Sequence, residues 1–115
     1  MSKQRRKGTD LEVQVEEAAK DYGYLAMRIA HAGRYDKGDV HIYDGSGSLH
    51  VIECKNTPNN LDIPGALREL AAEKEHAGAM FGAVVFKRKG TTDVGRYYTV
   101  MEFADYLALL KEPGF

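Results

Sequence analysis

The chain has 115 residues, of which 43% are hydrophobic and 29% charged, with a net charge of −1. That suits one globular domain around one core, and it rules out attraction to polyanions through overall charge. No apolar run approaches the roughly 20 residues of a membrane span, and the charged start has no apolar segment behind it, so neither a spanning helix nor a secretory signal is expected.

The lone cysteine, Cys54, has no partner for an internal disulfide, which points to a reducing, cytoplasmic setting. Charge is unevenly spread. Lys3, Arg5, Arg6 and Lys7 crowd the start, and Lys87, Arg88 and Lys89 form a second cluster. Each cluster reads either as a solvated tail or turn, or as a local patch for a phosphate backbone.

Residues 1–7 are polar and basic with nothing to bury, so a disordered tail is expected there, with one domain over 8–115. Thr9 followed by Glu12 has the spacing of a capping box. Leu11, Val15, Ala18, Ala19 and Tyr22 then recur at helical spacing, predicting an amphipathic helix that ends at Gly23. Tyr24 to Ala30 alternates, predicting a strand with Leu25, Met27 and Ile29 on one face. His31 to Gly38 is a polar loop with Arg34, Asp36 and Lys37. It reads either as a ligand-contacting edge or as an ordinary surface turn.

Gly38 to Lys55 is the most informative stretch. Two alternating segments flank Gly-Ser-Gly-Ser, which predicts a β-hairpin. With the loop centred on Ser46, Asp39 lies opposite Glu53, and opposed residues of an antiparallel pair project from one face. Lys55, two residues beyond Glu53, joins that face. Two facing carboxylates repel unless a cation lies between them. Mg²⁺ takes oxygen ligands and keeps several waters, so two carboxylates and the carbonyl of Cys54 would make a site. The Cys54 side chain points the other way, into the core. His41 shares the carboxylate face, and is expected to pack beside it.

Asn56 to Asn60 reads as a loop. Asp62 and Pro64 open a second helix, with Leu67, Leu70, Ala71 and Ala77 as its apolar stripe and Glu69 and Glu73 on another face; Gly78 closes it. Met80 to Phe86 is a continuous apolar run, the pattern of a strand buried on both faces. Lys87 to Gly95 is a basic turn, and Arg96 to Met101 a further strand. Of the adjacent Tyr97 and Tyr98, one is expected to pack inward and one is available for stacking on bases. A final helix over Glu102 to Lys111 is expected to turn Phe103, Tyr106, Leu107 and Leu110 inward. The order α-β-β-β-α-β-β-α implies a single α/β domain with a mixed sheet flanked by helices.

Gly38-Asp39 followed by Val51-Ile52-Glu53-Cys54-Lys55 resembles the PD-(D/E)xK nuclease signature, with Gly38 where the motif has proline. The Gly8-to-Glu12 element, the Glu-Cys-Lys strand and the Val85-Phe86-Lys87-Arg88 run resemble the Holliday-junction-resolvase-like branch, in its small phage-type members. This resemblance spans Gly8 to Leu110. It implies a restriction-endonuclease-like αβββαβ core with an added C-terminal strand and helix. It also implies a Mg²⁺-dependent endonuclease, with Mn²⁺ able to substitute, acting as a homodimer on branched DNA. Asp39 and Glu53 would be metal ligands, Lys55 the catalytic lysine and Glu12 the helix carboxylate completing the shell. Arg34, Lys37, Lys87, Arg88 and Lys89 would contact DNA phosphates. A same-superfamily enzyme for linear, nicked or flap DNA, and a non-catalytic DNA-binding subunit, are the alternatives.

Overall fold

The computed structural model describes residues 3–30 and 35–113, with side chains described from Thr9 onward. Helix α1 spans Lys3–Asp21, followed by strands β1 (Leu25–Arg28), β2 (Val40–Tyr43) and β3 (Leu49–Lys55). Helix α2 (Ile63–Ala77) leads to β4 (Phe81–Phe86). A 3₁₀ turn at Val94–Arg96, strand β5 (Tyr98–Val100) and helix α3 (Phe103–Leu109) complete the chain. The five strands form one sheet in sequence order. Pairing is antiparallel except between β3 and β4, which run parallel and are joined through α2, because parallel neighbours need a long crossover. The protein is thus a single α/β domain with a mixed sheet. Its Cα radius of gyration of 13.5 Å is close to the roughly 13 Å expected of one domain this long. Among the described residues no helix is long and apolar enough to cross a membrane.

The sheet separates two cores. On one face, Leu11 and Val15 of α1 pack with Val40, Ile52, Ala83 and Tyr97. On the other, Ala66 and Leu70 of α2 pack with Val51, Val84 and Phe86. Strand β4 lies between both helices and is almost wholly buried, as its unbroken apolar run predicts. Gly82 matters here, because a Cβ would stand 2.8 Å from the Val51 carbonyl oxygen and 3.1 Å from Leu70 Cδ1. Its absence lets α2 lie close on the sheet. Helix α2 has the expected ends: Asp62 Oδ1 accepts from the Gly65 amide at 3.0 Å, and Gly78 adopts a left-handed φ of 68°.

The structure adds to or departs from the sequence reading in α1, β1 and α3. Helix α1 starts at Lys3, so Thr9 and Glu12 stand inside it and no capping box forms; residues 3–7 belong to the same helix. Lys, Gln and Arg are good helix formers, and an amphipathic helix already anchored on the sheet extends at little cost. In β1 the inner residue is Ala26, 3% exposed, while Leu25 and Met27 are 63% and 39% exposed. Helix α1 covers the Ala26 face of this edge strand, whereas α2 packs chiefly on β3 and β4. In α3, Phe103, Tyr106, Leu107 and Leu110 are exposed rather than inward; the helix follows the edge strand β5 and has no buried residue.

Candidate functional site

The site lies where β2 and β3 meet the loop before β2, beneath α2. Its register is the expected one. Val40 pairs with Ile52 and Tyr43 with Leu49, centring the hairpin on Ser46. The turn is built by Asp44, whose Oδ1 accepts from the Ser46 and Ser48 amides and from the Ser46 hydroxyl. Its Oδ2 accepts from His50 Nε2 at 2.8 Å.

Asp39 immediately precedes β2 and continues its pairing with both neighbours. Its amide donates to the Ile52 carbonyl and its carbonyl accepts from the Ile29 amide. Its side-chain Oδ2 accepts from the Cys54 amide at 2.8 Å. Within a strand the N–H and C=O of one residue point to the same side, so the Cys54 carbonyl also faces the Asp39 gap. Gly38, just before, is buried with φ 94°. A Cβ there would overlap Val51 Cγ1. This glycine is needed both for its backbone angle and for the close approach that brings Asp39 against β3.

Glu53 is 6% exposed and Asp39 5% exposed, and the two carboxyl groups touch. Helix α2 supplies a third. Glu73 is 3% exposed, in contact with Glu53. A fourth, Asp36, comes from the loop before β2; one carboxylate oxygen each of Asp36, Glu53 and Glu73 lie within 4.8 Å of one another. Two histidines pin this loop. His76 Nδ1 donates to the Asp36 carbonyl at 2.9 Å, and His41 Nε2 to the Lys37 carbonyl at 2.8 Å. His41 is buried on the carboxylate face, as expected.

Burial, then contact with Asp39 and Glu73, pushes the Glu53 carboxyl far above its ordinary range. Burial first, and then the charges of Asp36, Asp39 and Glu69, also raise Glu73, against the lowering effect of its contact with Glu53. A contact between two carboxyl groups is a hydrogen bond only if one carries a proton. Without a positive charge among them the cluster therefore retains protons at neutral pH. Its donor set is oxygen only, which suits Mg²⁺, Ca²⁺ or Mn²⁺ rather than a thiolate- or imidazole-binding metal.

Lys55 stands at the end of β3, with Nζ 2.7 Å from Glu69 Oε2 of α2. Burial opposes its charge, but the Glu69 hydrogen bond and the nearby charges of Glu53 and Asp39 outweigh this and raise its pKa. It is therefore a cation in the site. Cys54 packs on the α1 side among the partly buried apolar residues. Burial, followed by the charges of Asp39, Glu12, Glu53 and Glu73, pushes its thiol upward and leaves it unreactive.

Like Asp39, Glu12 is outside the group of mutually close oxygens from Asp36, Glu53 and Glu73. It lies on α1, in the layer across the sheet, with Oε1 3.8 Å from Arg28 Nε. Lys37 is exposed beside Asp36. Arg34 lies outside the described residues. Lys87 follows β4 directly, its amide donating to the Lys55 carbonyl. With Arg88, Lys89, Thr91 and Pro58 it lines a shallow groove of about 650 Å³. The Arg88 guanidinium is drawn aside: it lies 5.2 Å over the Tyr98 ring and donates to the Arg96 carbonyl at 3.3 Å. Tyr97 is the inward member of its pair.

Sequence reasoning missed Glu73 and Asp36. Glu73 had a readable signal. Ala66, Leu70, Glu73 and Ala77 follow the spacing of one helix face, and Ala66 and Leu70 are core. A carboxylate on that stripe has to be buried. Asp36 left no comparable trace, since its position depends on how the loop folds back. No family model matches this chain, and no curated protein matches it.

Proposed function

We propose that this chain is a divalent-cation-dependent DNA endonuclease of the PD-(D/E)xK kind, acting on branched DNA. One observation carries the reading: Asp39 and Glu53 meet in the hairpin register with Lys55 two residues further along the same face. The element order through β4 supports a restriction-endonuclease-like core. Mg²⁺, or Mn²⁺ in its place, would be held by Asp39, Glu53 and the Cys54 carbonyl. The chemistry such an ion supplies is Lewis-acid polarisation of a phosphoryl oxygen and easier deprotonation of water.

The chain's own groups do the rest. Lys55, being charged, donates hydrogen bonds to the scissile phosphate or the attacking water and offsets charge developing on phosphorus. Its raised pKa makes it a stabiliser rather than the base. Water's oxygen bonds to phosphorus and loses a proton to solvent, while the P–O bond to the leaving group breaks and the leaving oxygen takes a proton from solvent to become a hydroxyl. The groove at Lys87 and Lys89 supports phosphate contacts that position the duplex without reading its bases. The dimer belongs to the same proposal, and the exposed apolar residues of α3 supply surface for it. So does an intracellular setting, where the Cys54 thiol stays reduced.

The test is cleavage of a panel of four-way junction, flap, nicked and plain duplex DNA, with Mg²⁺ or with EDTA. Junction cleavage requiring Mg²⁺ is expected. Lys55→Ala should slow it by about 10²–10³, and Glu53→Gln should abolish it while the protein stays folded, because the change relieves buried repulsion. Full activity in Glu53→Gln overturns the mechanism. Preference for another DNA form reassigns the substrate, and binding without cleavage makes the chain a DNA-binding subunit.

A further inference from the structure

We infer that Glu73, with Asp36, completes the cation seat around Glu53, filling the place that the sequence pattern offers to Glu12. This rests on the endonuclease reading and adds ligands to it. Both Glu73 carboxylate oxygens are buried and, apart from the Glu53 carboxyl they meet, find no hydrogen-bond donor among the described residues. An ionised carboxylate so placed is untenable unless a positive charge reaches it. The nearest lysine on that face does not serve, since Lys55 Nζ is turned to Glu69 at 2.7 Å. Glu73 also occupies a position on the α2 stripe where an aliphatic side chain would pack at no such cost.

The geometry suits an ion. One oxygen each of Asp36, Glu53 and Glu73 lie within 4.8 Å of one another. Ligands on opposite sides of Mg²⁺ stand about 4.2 Å apart, and of Ca²⁺ about 5 Å. Asp36 is presented by a braced loop: its Oδ1 accepts from the Gly38 amide at 2.9 Å, and its carbonyl accepts from His76 of α2. Glu12 lies across the sheet beside Arg28. A cation held this way ties α2 and the loop to β3, so its binding stabilises the fold as well as the site.

Mn²⁺ affinity, measured by calorimetry on the full chain, tests this alongside melting temperature in EDTA. Glu73→Gln should weaken Mn²⁺ binding by about tenfold or more and should raise the melting temperature of the metal-free protein. Asp36→Asn should also weaken binding, and Glu12→Gln should leave it within about twofold. Unchanged Mn²⁺ affinity in Glu73→Gln, or the large loss appearing in Glu12→Gln instead, overturns the assignment. If Glu53→Gln still abolishes Mg²⁺-dependent cleavage in that case, the endonuclease reading stands and only the ligand set is wrong. A wild-type chain that binds no Mn²⁺ sinks both.

Discussion

Gly38 shows how a single residue sets the site. Its φ of 94° lies in the region that costs an L-residue about 1–2 kcal/mol, and a Cβ would also run into Val51, adding about 1–3 kcal/mol of overpacking. Gly38→Ala is therefore expected to lower stability by about 2–5 kcal/mol in urea unfolding, the adjoining Asp39 losing its contact with the Cys54 amide. A loss under half a kilocalorie would mean that the loop before β2 relaxes freely and that Asp39 is not positioned by it. Glu73 makes the complementary point. It reads as a surface glutamate only if the helix face is drawn through Leu67 and Ala71. Drawn through Ala66, Leu70 and Ala77, the same residues place it in the core.

At the scale of elements, the β2–β3 hairpin is the unit that brings Asp39 to Glu53, and its turn depends on Asp44. Burial raises this carboxyl, but hydrogen bonds from His50, Ser46 and Ser48 outweigh that and bring it down from 3.8 to about 2. A depressed carboxyl stabilises the fold above its unfolded pKa, and that contribution is lost as pH falls through the folded one. The Asp44 contribution should therefore be complete above about pH 4 and disappear towards pH 2. Acid titration of wild type against Asp44→Asn checks this: the two stability curves should converge as pH falls through that window. Parallel curves would show that the turn hydrogen bonds act without the charge. Pairing register is stiff because a one-residue slip would carry Val40 and Ile52 from the α1 core to the other face.

For the whole molecule, the endonuclease proposal turns on which surfaces would face DNA. A net charge of −1 gives no general attraction, so binding has to come from a local patch. The groove of Lys87, Lys89 and Pro58 lies at the β4 end beside Lys55, and under the proposal it would hold the backbone whose phosphate enters the acidic site. The double variant Lys87→Ala/Lys89→Ala should weaken junction binding in Ca²⁺ and reduce the slope of log K against log salt by about 2, with Mn²⁺ affinity unchanged. Fluorescence anisotropy across a salt series measures it, and an unaltered slope would place the phosphates elsewhere. Among the described residues, the Leu25–Met27 face of β1 and the outer side of α3 expose apolar side chains. Both belong to elements at the ends of the sheet.

What the sequence determined by itself was local in origin: the helix ends at Gly23, Asp62 and Gly78, the buried β4 run, and a turn chemistry that centres the hairpin on Ser46 and sets Asp39 against Glu53. These follow from backbone preference and from alternation over a few residues, which short-range physics settles. Tertiary structure decided what depends on layers meeting: that α1 lies across the sheet with Glu12 beside Arg28, that α2 lowers Glu73 onto Glu53, and that the loop folds Asp36 in beside them. It also decided that Ala26 rather than Leu25 or Met27 faces inward. A helix covers only the strands it reaches, and no pattern within a strand records which of its faces will be covered.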